Sequence, residues 1–93
     1  MVDETFERKV LACLLLSGEF CSSVARHLKP SYFESVVRHN IGKLAIDFHL
    51  KYQAKLSHLG FTEGIKDMVR HKVIAEADIT LYVEEYRKLT RIS

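Results

Sequence analysis

The longest helix-compatible stretch of this chain runs from residue 35 to residue 59 and contains no proline. Its apolar residues follow one another at steps of three and four, the spacing of one face of an α-helix. Gly42, the glycine within the stretch, costs about 1 kcal/mol in a packed helix. The stretch therefore predicts a long central helix, about 35–59, along which the rest of the chain packs. The residues of its apolar stripe are Val37, Ile41, Leu44, Phe48, Tyr52, Leu56 and Leu59.

Two shorter helices are predicted before the central stretch. The first runs from about residue 4 to residue 16, with acidic residues in its first turn, where the helix dipole favours negative charge. The second runs from about residue 19 to residue 28 and ends before Pro30, because the residue that precedes a proline is disfavoured in the helical region. The inward face of the first helix is expected to consist of Phe6, Val10, Cys13 and Leu14.

Capping residues predict where the central helix begins and ends. Ser31 and Glu34 have the spacing of a capping box, so the helix begins either there or at Ser35. Gly60 is expected to end it as the residue after the cap, where glycine tolerates the left-handed conformation.

Two further helices are predicted after the central one. Thr62 is a good N-cap for a short fourth helix, and Asp78 for a terminal helix over about 79–91. Strand-like alternation is absent, and the chain has four glycines and one proline. The expected fold class is therefore all-α, a compact bundle of five to six helices around one long central helix. A single domain spanning 1–93 is expected.

Composition limits the cellular setting. Of the 93 residues, 47% are hydrophobic and 28% are charged, the proportions of an ordinary globular protein. No apolar run approaches the length of a membrane span, and the N-terminus is acidic rather than basic, so no signal peptide is predicted. We therefore expect a cytoplasmic protein with no membrane partner. Cys13 and Cys21 are expected to be small buried hydrophobes.

The sequence predicts no catalytic residue, no metal ligand and no cofactor-binding residue. Successive histidines are 9 to 13 residues apart, so no two share the i, i+3 or i, i+4 spacing that brings two ligands onto one helical face. The phosphate-binding motif G-x-x-x-x-G-K-[ST] is absent. We therefore expect that this chain alone is not an enzyme.

The central part of the chain is basic. Residues 26–72 carry nine basic and four acidic side chains, whereas the whole chain has a net charge of only +2. One alternative function is therefore that of a small basic helical protein that binds nucleic acid. A solvated outer helix face explains the same charges, because they are dispersed rather than clustered. The candidate phosphate contacts are Lys43, Lys51, Lys55, Arg70 and Lys72.

Three motifs and the long helix occur in an order that is typical of one family. Residues 7–16 read ERKVLACLLL, residues 28–33 read LKPSYF and residues 77–86 read ADITLYVEEY. Together they resemble the N-terminal domain of DnaB-type replicative hexameric DNA helicases from bacteria and phages. The corresponding family features are its opening helix, its L-x-P-x-x-F turn before a long helix, and the A-N-I-x-x-Y segment that begins a helical hairpin. Residues 61–63 only loosely replace a further family motif, I-D-x-x-[TS].

The resemblance implies a non-catalytic role in DNA replication. In the family this domain forms the collar of the hexamer, self-associates as a dimer or higher oligomer, and docks primase or a helicase loader. ATP and Mg²⁺ are expected only in an ATPase domain that is absent here; the parent protein would be an ATP-dependent DNA helicase in a bacterial or phage-infected cell. The terminal helix would be the first arm of a truncated hairpin. Its candidate interaction face is Ile79, Tyr82, Val83, Tyr86 and Leu89.

A second replication protein offers an alternative. The helicase-binding C-terminal domain of a bacterial primase has a related helical-bundle fold, and chain context would discriminate the two readings. A Walker A motif encoded downstream favours the helicase, whereas zinc-ribbon and polymerase domains upstream favour the primase.

Overall fold

A computed structural model describes residues 4–91, which form five α-helices and two short 3-10 turns and contain no strand. The all-α class and the number of helices are as predicted. The remainder of the expected 1–93 domain lies outside the described residues. The helices are α1 (Glu4–Leu16), α2 (Gly18–Val24), α3 (Val36–Tyr52), α4 (His58–Arg70) and α5 (Ile79–Thr90), with 3-10 turns at Pro30–Tyr32 and Glu76–Asp78.

Helix α3 lies at the centre of the bundle and contacts α1, α2, α4 and α5. Its inward side buries Ile41, Ala45 and Ile46. None of the five helices is both long enough and apolar enough to cross a membrane, within the residues described.

The predicted extension of the central helix to Leu59 is wrong, because α3 ends at Tyr52. Gln53 adopts the left-handed conformation (φ 57°, ψ 40°), and its N–H donates to the His49 carbonyl at 2.7 Å. After a short irregular segment, the Ser57 hydroxyl accepts a hydrogen bond from the N–H of Gly60 at 2.9 Å and so caps α4. The stripe of apolar residues is therefore divided between two helices and the loop that joins them.

Two residues near the start of α4 have roles that differ from those predicted. Gly60 does not end a helix but lies in the first turn of α4. Thr62 is not an N-cap, and its hydroxyl donates to the carbonyl of His58 one turn earlier, at 3.1 Å. Leu56, which precedes the Ser57 cap, and Phe61, four residues after that cap, are both buried, which is the arrangement of a hydrophobic staple.

Helix α3 begins at the later of its two predicted starts. The Ser35 hydroxyl accepts a hydrogen bond from the N–H of Arg38 at 3.3 Å. The alternative capping box is not formed, because residues 30–32 are a 3-10 turn and the N–H of Glu34 donates to Glu7 Oε2 at 3.3 Å. Asp78 occupies the N-cap position of α5, but its side chain makes no capping hydrogen bond.

The buried face of α1 has the predicted spacing but is shifted by one residue. Its buried residues are Glu7, Leu11, Leu14 and Leu15, whereas Phe6 is 57% exposed. Cys13 is also exposed, contrary to prediction, whereas Cys21 is fully buried as expected.

The buried carboxylate of Glu7 on α1 is compensated by an ion pair. Arg38 Nε lies 3.4 Å from its Oε1. The same guanidinium lies 3.4 Å from Oε2 of Glu85 on α5 and 3.6 Å from Oε1 of Glu4. One arginine on α3 therefore joins α1 and α5 through a largely buried ionic network.

Candidate interaction surface

The predicted interaction face of α5 packs into the core of the bundle. Tyr82, Tyr86 and Leu89 are buried there, while Ile79 and Val83 are partly buried against the same cluster. The chain's own helices therefore cover most of this face.

Both tyrosines of this face make specific contacts with other helices. The Tyr82 hydroxyl accepts a hydrogen bond from Nδ2 of Asn40 on α3 at 2.8 Å. The ring of Tyr86 stacks on Phe61 of α4, with ring centroids 3.9 Å apart. Helix α5 therefore anchors both α3 and α4.

Two of the five predicted phosphate contacts lie beside carboxylates. Lys43 Nζ is 3.1 Å from Asp47 Oδ2, one turn along α3. Arg70 forms an ion pair with Asp67 on α4. A phosphate that approached either cation would also approach a carboxylate, which weakens its attraction.

The other three predicted phosphate contacts lie in different surroundings. Lys51 Nζ lies 5.2 Å from the centroid of the Tyr52 ring. Lys55 Nζ donates to the carbonyl of Leu16 at the end of α1, at 3.3 Å. Lys72 adopts a left-handed conformation (φ 60°) in the turn after α4. Three of the five cations are therefore already in contact with a carboxylate or a backbone carbonyl.

Two glycines of α4 allow it to pack closely against α3. A Cβ atom added at Gly60 would lie 2.6 Å from Cε2 of Phe48. A Cβ atom added at Gly64, one turn later, would lie 2.6 Å from Cδ2 of Leu44. Both distances are shorter than real carbon contacts, so a larger residue at either position would require the Phe48 or Leu44 side chain to shift.

A surface groove of about 230 Å³ lies between α3 and α4. Phe48 and Tyr52 stand one turn apart on its α3 side, with ring centroids 4.6 Å apart. Tyr52 is 57% exposed, although it is large and apolar over most of its surface. The other uncharged residues that line the groove are Leu44, Leu56, Gly60 and Gly64. We refer to this feature as the α3–α4 groove.

Acidic side chains line both sides of the α3–α4 groove. Asp47 lies on the α3 side, and Glu63 and Asp67 lie on the α4 side, whereas Lys51 is the cation in the lining. Three carboxylates and one ammonium give the lining an excess of negative charge. The ion-pair partners of the three carboxylates lie outside the lining and are Lys43, Lys66 and Arg70.

A second, larger groove of about 630 Å³ lies between α2 and the C-terminal end of α3. Its lining is mostly polar and includes Arg26 and His49, with the exposed Leu50 and the buried Ala25 as its hydrophobic residues. His49 Nδ1 is buried and has no hydrogen-bond partner among the described residues. This arrangement favours the tautomer with its proton on Nε2, because an unpaired buried N–H is costly.

Two titratable groups in the core have shifted pKa values. Burial raises the pKa of the Cys21 thiol above its ordinary value, and burial likewise raises the pKa of the Tyr86 hydroxyl. Neither group lines either groove. Within residues 4–91, no three His, Cys, Asp or Glu side chains are grouped so that they could hold a metal ion.

No protein-family profile, curated protein or solved structure matches this chain. The functional interpretation therefore depends on the sequence motifs and on the surfaces that the fold leaves exposed. The sequence interpretation missed the α3–α4 groove, because Phe48 and Tyr52 were assigned to one buried stripe. The spacing of Gly60 and Gly64 was the available signal, since small residues one turn apart permit close packing of helices.

Proposed function

We propose that this chain is a non-catalytic protein–protein interaction domain of a DnaB-type replicative DNA helicase, and that it docks primase or a helicase loader. The sequence motifs that carry the resemblance lie in three parts of the fold. Residues 7–16 form most of α1, residues 28–33 include the 3-10 turn before α3, and residues 77–86 lead into α5. The proposed setting is the bacterial cytoplasm, with ATP and Mg²⁺ bound by an ATPase domain outside this chain.

The observation that carries the proposal is the α3–α4 groove. It presents the exposed Tyr52 beside the partly buried Phe48, and aromatic side chains are enriched among the residues that dominate binding energy at protein interfaces. The inward placement of Tyr82 and Tyr86 leaves the face of α5 less suited to a partner. We therefore assign partner docking to the groove, and any self-association to a surface other than the buried face of α5.

The experiment compares two exposed apolar residues of the same helix. Tyr52 and Leu50 are 57% and 52% exposed on α3, but Tyr52 lines the α3–α4 groove and Leu50 lines the α2–α3 groove. Tyr52→Ser and Leu50→Ser are compared with the unmodified chain by calorimetric titration against the primase and the helicase loader encoded in the same genome.

We expect Tyr52→Ser to weaken binding by about tenfold or more, the cost of losing an aromatic anchor, and Leu50→Ser to change it by less than about twofold. Failure of the unmodified chain to bind either protein would contradict the proposal. Binding to an intact helicase hexamer instead would favour the primase-domain alternative.

A further inference from the structure

Another surface groove, of about 270 Å³, lies between α1 and α5 and has cations on both of its sides. Arg8 and Lys9 line its α1 side. Lys88 and Arg91 line the opposite side, at the C-terminal end of α5, and all four cations are exposed. The carboxylate in the lining is that of Glu85. We refer to this feature as the α1–α5 groove, and its other lining residues are Ala12 and Leu89.

Two charged residues of the α1–α5 groove are already in ion pairs. Glu85 Oε2 lies 3.4 Å from Nη1 of Arg38, so a cation outside the lining compensates the carboxylate inside it. Arg8 Nη2 lies 3.6 Å from Oε1 of Glu4, which is also outside the lining. Arg8 is therefore less available to a ligand than the other three cations are.

The other three cations, Lys9, Lys88 and Arg91, make no ion pair with any residue between 4 and 91. The lining and the ion-pair network attached to it together contain five cations and three carboxylates, which leaves two positive charges in excess. Glu84 and Arg87, exposed neighbours on α5, have opposite charges and do not alter this excess. The groove therefore attracts anions even when its ion pairs are counted. The network residues counted outside the lining are Arg38, Glu4 and Glu7.

The lining provides charge but little apolar surface. Leu89 is only 7% exposed, and Ala12 is partly buried. None of the large hydrophobic residues that are exposed within residues 4–91 lines this groove. A protein segment binds chiefly through large anchoring side chains, which would find no pocket here, whereas a phosphate backbone binds through its charges. The groove therefore suits nucleic acid better than an acidic peptide.

The lining also distinguishes a duplex from a single strand. It contains no aromatic side chain, and single strands are typically held by bases that stack on aromatic rings. A duplex keeps its own bases stacked and presents phosphates at high density. The α5 side of the groove, from Glu85 to Arg91, is about 9 Å long at 1.5 Å per residue. Charges along one strand of a duplex are about 3.4 Å apart along its axis, so this length corresponds to about three phosphates.

We infer that the α1–α5 groove binds the phosphate backbone of double-stranded nucleic acid without sequence preference, through Lys9, Lys88 and Arg91. These cations differ from the five phosphate contacts predicted from the sequence, three of which already contact a carboxylate or a backbone carbonyl. The inference goes beyond the proposed function and does not depend on it, because Tyr52 and the α3–α4 groove take no part in it.

The test measures binding of the full chain to fluorescently labelled DNA duplexes of about 20 base pairs by fluorescence anisotropy, between about 30 mM and about 100 mM NaCl. Three phosphate contacts give a slope of about −2.7 for log affinity against log salt concentration, so affinity should fall about 25-fold across this range. Two duplexes of unrelated sequence should differ by less than about twofold, because phosphate contacts carry no sequence information.

Two further probes distinguish other anionic ligands. A single strand of the same length should bind no more tightly than the duplexes, since the groove has no stacking platform. A glutamate peptide of about 20 residues should bind at least about tenfold more weakly, because it carries fewer charges per unit length than a duplex does. Absence of duplex binding at low salt, tighter binding of the single strand, or equal binding of the peptide would overturn the inference.

Neutral substitutions in the groove provide the matched variants. Lys9→Gln combined with Lys88→Gln removes two of the three unpaired contacts and should reduce the magnitude of the salt slope by about 1.8. Lys51→Gln combined with Lys72→Gln removes the same charge from exposed positions outside the groove and should leave the slope unchanged. Far-UV circular dichroism verifies that both variants are folded. An equal change of slope in the two variants would mean that the DNA is attracted to the chain as a whole, and the assignment to this groove would be wrong.

Discussion

The two sides of α3 are built in different ways. Towards α1 and α5, α3 contributes Arg38 and Asn40, which make ionic and hydrogen-bonded contacts that are largely buried. Towards α4, it contributes Leu44 and Phe48, which pack against glycines and remain partly exposed. Buried polar contacts have strict geometric requirements, whereas a partly exposed apolar contact leaves surface for a partner. The difference suggests that the first side maintains the fold and the second side carries the function.

Helix α4 packs on the apolar side of α3. Among the other helices, α4 packs mainly on α3, and it also meets α5, where the Tyr86 ring stacks on Phe61 and its centroid lies 6.2 Å from that of the His58 ring. The polar side of α3 should therefore tolerate substitution least, and the groove side should tolerate changes in its exposed residues.

The largest expected effect is on the polar side, from Arg38→Met. Loss of the guanidinium leaves the carboxylate of Glu7, whose side chain is only 3% exposed, without its charged partner. Removing one member of a buried ion pair typically costs about 3–5 kcal/mol. We expect a loss of this size in the free energy of unfolding, measured by urea denaturation. Arg70→Met, which removes an exposed pair on α4, is the control and should cost less than about 1 kcal/mol. Equal losses for the two variants would remove the distinction between the two sides.

A smaller effect on the same side is expected from Tyr82→Phe. The substitution preserves the ring but removes the hydroxyl that accepts from Asn40 Nδ2, and both residues are buried. A buried donor without a partner costs about 1–3 kcal/mol. Thermal denaturation should show this loss for Tyr82→Phe and almost none for Tyr32→Phe, because Tyr32 is half exposed. A neutral result at Tyr82 would mean that Asn40 finds another acceptor.

On the groove side, Gly60→Ala tests how closely α4 must approach α3. Alanine is the better helix former by about 1 kcal/mol, but its Cβ would lie 2.6 Å from the Phe48 ring and 3.0 Å from the capping hydroxyl of Ser57. Overpacking of this kind costs about 1–3 kcal/mol, so we expect a net loss of about 1 kcal/mol in chemical denaturation. Gly18→Ala, where nothing lies within 4 Å of the added Cβ, is the control and should be neutral or stabilising. Stabilisation at both positions would show that α4 can move away from α3 at little cost.

The features that were predicted correctly are those determined by residues close together in the sequence. The class of the fold, the number of helices and the Ser35 start of α3 follow from periodicity and from capping chemistry within a few residues. The predicted end of the second helix near residue 28 was wrong, because α2 ends at Val24 and residues 25–27 form a turn before Pro30 is reached. The break between α3 and α4 was also signalled locally, by Ser57 with apolar residues on either side of it. The stronger periodic stripe across residues 35–59 obscured that signal, since each half of a broken helix retains helical spacing.

The remaining errors arise from contacts between distant residues. Glu7 faces inward because Arg38, 31 positions later, meets it, and no local pattern indicates that a charged residue replaces Phe6 on the buried face. The burial of the α5 face could not be predicted for a related reason. A stripe with two tyrosines suits either a core or an interface, and only the packing of Asn40 and Phe61 against it distinguishes them.

The smallest expected effect concerns the buried thiol at Cys21. Burial raises the thiol pKa above its ordinary value of 9.0, so the folded chain retains this proton to higher pH than the unfolded chain does. Its contribution to stability is therefore complete below pH 9.0 and is lost as the pH rises from that value through the folded-state pKa. Denaturation from neutral to alkaline pH should show this decline in the parent chain and a weaker one in Cys21→Ala.

At neutral pH a thiol reagent should label the exposed Cys13 rapidly and Cys21 only on unfolding. Rapid labelling of both thiols would show instead that the core around Cys21 opens readily in the folded chain.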